Sequence, residues 1–139
     1  MINFNEKITN IDFTNVDTGG KVDHFFNPSK QGLKPSVSLK IKAVTGLTRM
    51  NLGESYTLKV EILKNLSNEF DLIQHDSQTF TPNKDNSFNI GNNTGSIFVV
   101  QEFNLELNQF GVFIVKFTLE KNGVELDTYK ECFEMFETK

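Results

Sequence analysis

The chain has 139 residues, with 14 Phe, no Trp, two Tyr, one Cys and a formal charge of −4. At this length folding removes roughly two-thirds of the unfolded chain's surface from water, enough for a hydrophobic core without disulfides or metal. A single cysteine excludes a disulfide framework and an all-cysteine metal cage. No apolar run approaches the ~20 residues that span a bilayer, and the start, Met1 to Asn5, lacks the basic and apolar regions of a signal peptide. The expectation is one cytoplasmic domain over residues 1–139, with no membrane partner.

Lysine outnumbers arginine 13 to 1, and there are 16 asparagines. Lys, Asn, Ile and Phe are favoured by AT-rich codons, which predicts a bacterial or phage source. The lone Arg49 argues against phosphate or nucleic-acid recognition, where the guanidinium fork is the preferred tool. Residues 28–65 carry seven basic and two acidic groups, and residues 100–139 carry four and eight. These segments neutralise each other if the fold brings them together and leave a bipolar molecule if it does not.

In chain order, residues 1–27 read as an N-terminal arm with candidate edge strands at Ile8–Phe13 and Lys21–Phe26, separated by Thr18-Gly19-Gly20. Residues 28–35, with Pro28, Gly32 and Pro35, read as a linker to a main sandwich over 36–137. Period-two alternation from Ser36 places Val37, Leu39, Ile41 and Ala43 on one face, and from Tyr56 it places Tyr56, Leu58, Val60 and Ile62 inward. The segment Thr45–Glu54 between them is too long for a tight hairpin and suits a crossing between two sheets. Phe70–His75 reads as a short strand, and Thr81–Gly95 as a polar, Asn-rich loop.

The C-terminal third shows Val99, Phe103, Leu105 and Leu107 in one parity and Phe113, Val115, Phe117 and Leu119 in another. Pairing Leu107 with Gly111 predicts a hairpin with Leu105 opposite Phe113 and Glu102 opposite Lys116. Asn122-Gly123 marks the next turn. A two-residue turn would set Glu120 against Glu125, so a four-residue loop with Leu119 opposite Val124 is expected instead. Alternation weakens near Tyr129–Cys132, which predicts a β-bulge there. Six to nine strands and no long helix predict an all-β, antiparallel β-sandwich that resembles the immunoglobulin-like fold or a relative of it.

Residues able to carry chemistry are few. His24 and His75, the latter beside Asp76 and near Asp71, do not make the three- or four-ligand set of a zinc site. Cys132 lies between Glu131 and Glu134, which disfavour a thiolate, and is expected to be a small core residue. Thr18-Gly19-Gly20-Lys21 lacks the spacing and hydroxyl of a phosphate loop, and residues 82–93 lack a calcium-loop pattern. The sequons at Asn65 and Asn92 are chance matches in an Asn-rich chain. Lys40, Lys42, Lys59 and Lys64 alternate with Ser and Thr rather than aromatics, so a solvated sheet face is expected in place of a nucleic-acid site. No catalytic, cofactor-binding or metal-binding residue is assigned, and no enzyme activity is expected.

One apolar excess stands out. Phe98, Val100, Val112 and Ile114 share the outer side of the expected hairpin, where a half-solvated sheet carries polar residues. Either the arm bearing Ile8, Ile11, Phe13, Phe25 and Phe26 covers them, or they meet a protein partner or a second copy. The functional expectation is a non-enzymatic protein-binding or assembly module acting through these four residues, with the loop Asn83–Asn93 as a second candidate surface. The alternative is a small-ligand or carbohydrate-binding sandwich using its end loops.

Overall fold

The computed structural model describes residues 6–26, 37–66, 69–107 and 111–135. They form nine strands: β1 (Lys7–Asn15), β2 (Phe25–Phe26), β3 (Val37–Asn51), β4 (Tyr56–Leu66), β5 (Glu69–Phe80), β6 (Phe88–Gly91), β7 (Thr94–Leu107), β8 (Gly111–Lys121) and β9 (Val124–Met135). Sheet A has the order β1-β3-β7-β6 and sheet B the order β2-β9-β8-β4-β5. All pairings are antiparallel except the two-residue match of β2 with β9. No helix occurs among the described residues. The expected β-sandwich is the observed architecture.

β3, β4, β7 and β8 each contribute one alternating row to a shared core. Ile41, Ala43 and Leu47 of β3 and Val99, Phe103 and Leu105 of β7 meet Tyr56, Leu58, Val60 and Ile62 of β4 and Phe113, Val115, Phe117 and Leu119 of β8. β-branched and aromatic residues at alternate positions suit a pleated surface buried on one side. The chain changes sheet after β1, β2, β3, β5 and β7. The crossing after β3 is the short turn at Leu52 and Gly53, where Gly53 sits at φ +88°, a conformation open to glycine.

Several expectations change here. The hairpin of residues 99–107 with 111–119 does not form: β7 pairs with β3 and β6, and β8 pairs with β4 and β9. Their buried rows are as expected, but they face each other across the core from opposite sheets. Parity fixes which side chains turn inward and is silent on which strand lies alongside. Glu102 accordingly lies opposite Lys42, and Lys116 opposite Glu61 and Lys130.

The Asn122-Gly123 turn has two residues, not four, with Lys121 opposite Val124 and Glu120 opposite Glu125. Asn122 at φ +53° and Gly123 at φ +78° supply the positive φ values such a turn needs. Glu120 finds Lys59 at 3.3 Å and Glu125 takes the Thr128 hydroxyl, which relieves the repulsion that argued for a longer loop. The bulge lies beside this turn, with Leu119 opposite Asp127 and Leu126 the extra residue, rather than at 129–132. Past it the odd-numbered residues turn inward, so Phe133 and Met135 are buried and Cys132 is exposed instead of being a core residue.

The Thr81–Gly95 loop contains β6 and a two-residue turn at Asn92 (φ +52°) and Asn93 (φ +59°). The N-terminal arm is an edge strand of sheet A, with Phe13 opposite Ala43, and it buries Ile11 and Phe13 in the core. Residues 27–36, which include the expected linker, lie outside the described residues. Lys64 takes the inward parity of β4 and is buried, so the four lysines grouped above share no face.

A polar network ties one end of the sandwich. Lys121 donates to Glu54 and lies 5.9 Å from the centre of the Tyr56 ring. The Tyr56 hydroxyl donates to Glu6 at 3.2 Å and accepts the Asn51 N–H at 2.9 Å. The hydrogen bond from Lys121 holds the Glu54 carboxyl below its ordinary range, so this exposed contact contributes above that range and is lost as pH falls.

Burial pushes the Tyr56 phenol above its ordinary value of 10.0. Burial, aided by Glu131, does the same to Tyr129. Both raised values favour the neutral folded form, so their contribution is full below the ordinary phenol value and declines as pH rises through the folded values. With no Trp in the chain, phenolate absorbance reads both tyrosines. A spectrophotometric titration should show ionisation delayed beyond the free-phenol midpoint and completed together with alkaline unfolding.

Among the described residues two buried polar atoms have no hydrogen-bond partner, the Thr45 hydroxyl and the Gln101 side-chain oxygen, while the Gln101 amide donates to the Leu58 carbonyl at 3.3 Å. An unpaired buried hydroxyl costs on the order of 1 kcal/mol or more. Thr45→Val should therefore raise the urea midpoint, stabilising the fold by about 1 kcal/mol.

Candidate functional site

The four residues singled out in the sequence fall on opposite sides of the molecule. Phe98 and Val100 belong to β7 and face outward from sheet A, whereas Val112 and Ile114 belong to β8 and lie half-buried on the outer side of sheet B. Ile114 sits between Leu63 and Cys132, and Val112 opposite Glu134. A common outward parity in two strands marks one surface only when those strands share a sheet.

A different pair completes the patch around Phe98. Phe88 of β6 lies opposite Ser96, diagonal to Phe98, and the two rings meet edge to face at 6.2 Å and 83°. Ile90, two residues on, is the extra residue where the β6–β7 register shifts, and it is exposed as well. Val100 lies opposite half-buried Val44. Phe88, Ile90, Phe98 and Val100 are 64%, 51%, 57% and 47% exposed, and they are four of the six exposed large hydrophobics among the described residues. Phe88 and Ile90 lie within the Asn83–Asn93 stretch named as a second candidate surface, but that stretch reads as loop, and two residues of alternation are too few to reveal a strand or to join it to Phe98.

The local backbone explains the placement. Gly46 lies opposite Phe98, and a Cβ there would sit 3.5 Å from the Phe98 ring and 2.6 Å from the side-chain oxygens of Thr9 and Asn10. The missing side chain makes room for the Thr9 and Asn10 side chains of β1, with the Phe98 ring at ordinary contact distance beside them. The arm extends the sheet and leaves Phe98 and Val100 uncovered. Further along the same face the surface becomes charged, with Lys40 3.8 Å from Glu102, while Thr48 and Ser96 share a 3.1 Å hydrogen bond near the aromatic pair. An apolar patch with a polar rim is the anatomy of a contact surface. Beside it, β6 is the outer strand of sheet A and leaves its far ladder edge unpaired.

Residues considered for chemistry do not assemble. His75 is exposed on β5, far along the edge of sheet B from the other candidates. His24 stacks on Phe133 with centres 4.9 Å apart and hydrogen-bonds Glu131. It borders one shallow groove with Cys132, yet Cys132 points to the opposite face of β9 from Glu131 and Phe133. No group of three metal-ligating side chains occurs among the described residues. Tyr56 is buried and Tyr129 half-buried, so neither offers an exposed platform at the end loops.

No protein-family model and no curated protein matches the sequence. Among solved structures, a bacterial adhesin from Mobiluncus mulieris containing intramolecular disulfide, isopeptide and ester bond cross-links is similar, in two crystal forms. Each has a TM-score of 0.60 and 8% identity over 95% of this chain and 58% of that one. A putative β-galactosidase from Bacteroides fragilis matches with a TM-score of 0.58 and 17% identity over 91% of this chain and 17% of that one. The chain thus spans little more than half of the adhesin structure and a sixth of the other. At these identities the likeness is one of fold.

Phe88 and Phe98 are solvated, so their ring contact is a small part of stability. A double-mutant cycle with Phe88→Ala and Phe98→Ala, read by urea unfolding, should give a coupling of about 0.5–1.5 kcal/mol and leave the fold intact.

Proposed function

We propose that this chain is a non-enzymatic protein-binding module of bacterial or phage origin, built on an immunoglobulin-like sandwich. Its strand orders support the fold reading: β1-β3-β7-β6 corresponds to ABED, and β9-β8-β4 to GFC with β5 added beside it. The similarity to a bacterial adhesin is consistent with a binding role. The observation that carries the reading is the exposed patch of Phe88, Ile90, Phe98 and Val100.

The occupant this surface fits best is a second copy of the chain. The patch carries no charge of its own, so two copies related by a two-fold axis meet without the repulsion that charged faces impose. The free edge of β6 is self-complementary in the same sense, because two antiparallel edges exchange N–H and C=O groups. Val112 and Ile114, on the far side of the sandwich, take no part.

Light scattering coupled to size exclusion should show a dimer that Phe98→Glu converts to a folded monomer, with the circular dichroism spectrum unchanged. A wild-type chain that stays monomeric at all accessible concentrations overturns the homotypic reading.

A further inference from the structure

A second surface lies at the seam where the edge strand of sheet A meets sheet B. Beyond its bulge, the inward row of β9 runs Asp127, Tyr129, Glu131, Phe133, Met135. Three of these five positions hold polar or ionisable groups where a sandwich core takes apolar ones. Asp127 is accounted for, since it accepts the Ile8 N–H at 2.9 Å and joins β1 to β9. Tyr129 packs against the core, and Glu131 instead faces a gap between the strands.

This gap is an open cleft of about 560 Å³, within the range of roughly 300–1,000 Å³ that holds small organic ligands. Its ends are fixed by the protein's own backbone. The Asp127 link closes one end. At the other, Val22 N–H donates to the Phe13 carbonyl at 3.3 Å, and Glu134 N–H to the His24 carbonyl at 2.8 Å. The cleft is therefore built by pairings that hold the fold, and its side chains divide by chemistry. Ile11, Phe13 and Val22 give an apolar wall; Asp12, Lys21 and Glu131 offer acceptors and a donor. His24 adds a flat ring, stacked on Phe133 on one side and oriented by Glu131.

We propose that this seam cleft binds a neutral carbohydrate. Carboxylates and cationic groups are mixed within it, so it favours neither a polyanion nor a polycation. A sugar ring matches the division of its walls, with C–H faces for the apolar wall and the imidazole, and hydroxyls for Asp12, Glu131 and Lys21. The site is distinct from the Phe98 patch and stands on separate observations.

The test is an amide chemical-shift titration of the full chain with glucose, galactose, N-acetylglucosamine and their β-linked disaccharides, with spermidine and citrate as charged comparisons. Saturable shifts centred on residues 11–14, 21–24 and 131 with at least one sugar are expected. Asp12→Asn and Glu131→Gln should each weaken that binding about tenfold, the loss for a hydrogen bond to a charged group. Asp12 is an exposed residue, so its variant remains informative if Glu131→Gln disturbs the His24 contact. Absence of saturable shifts with every sugar overturns the proposal, as do shifts at these residues with spermidine or citrate alone.

Discussion

Phe13, on the edge strand of sheet A, packs its ring against Phe117 and Phe133 of sheet B, with centres 5.7 Å away in both cases. This contact adds to the ladder of β1 with β3 and to the Ile8–Asp127 link with β9. With it, the N-terminal strand is pinned across the core to the two strands that carry the C-terminal third. Burying each such ring stabilises the fold by roughly 1.5–3 kcal/mol, and aromatic pairing adds to that. The same contact sets the width of the seam. Phe133 is held by Phe13 on the core side and carries the His24 ring on its other flank, so the wall of the cleft follows from the packing of the core.

The inner rows were legible in the sequence because burial on one face forces period-two alternation, and Ile41, Leu58, Val60, Phe103, Val115 and Phe117 all read correctly. Strand partners were not legible. Residues 99–107 and 111–119 satisfy a hairpin register by apolar pattern and by charge, yet each finds its partners elsewhere, because strands of opposite sheets present the same alternation to one core. The outward patch inherited that error. Its true members needed β6, whose four residues are too few to show a period. Cys132 was misplaced for a related reason: one extra residue at Leu126 shifts the parity of everything after it.

The uneven charge along the chain resolves through the same topology. The basic stretch contributes β3 and β4, which lie against β7 and β8 from the acidic stretch. Lys40 meets Glu102, Lys59 meets Glu120, and Glu54 meets Lys121 with the signs reversed. Pairs this exposed contribute little to stability. Their larger effect is on the field of the molecule. Opposite charges are interleaved along each sheet instead of being segregated to two poles.

The free edges of the two sheets divide their hazards. β5 is long, and its described outer stretch, His75 to Thr79, is exposed and polar throughout, so a ladder offered there carries no apolar reward. β6 has the apolar neighbours but only four residues, and its register is broken before the Asn92-Asn93 turn. A long, flat, hydrophobic edge is the combination that propagates into aggregates, and neither strand supplies it. At β6 the ladder is too short to hold a partner without the Phe88–Phe98 face, and that face is confined to one end of sheet A. The proposed two-fold pairing uses both elements at once.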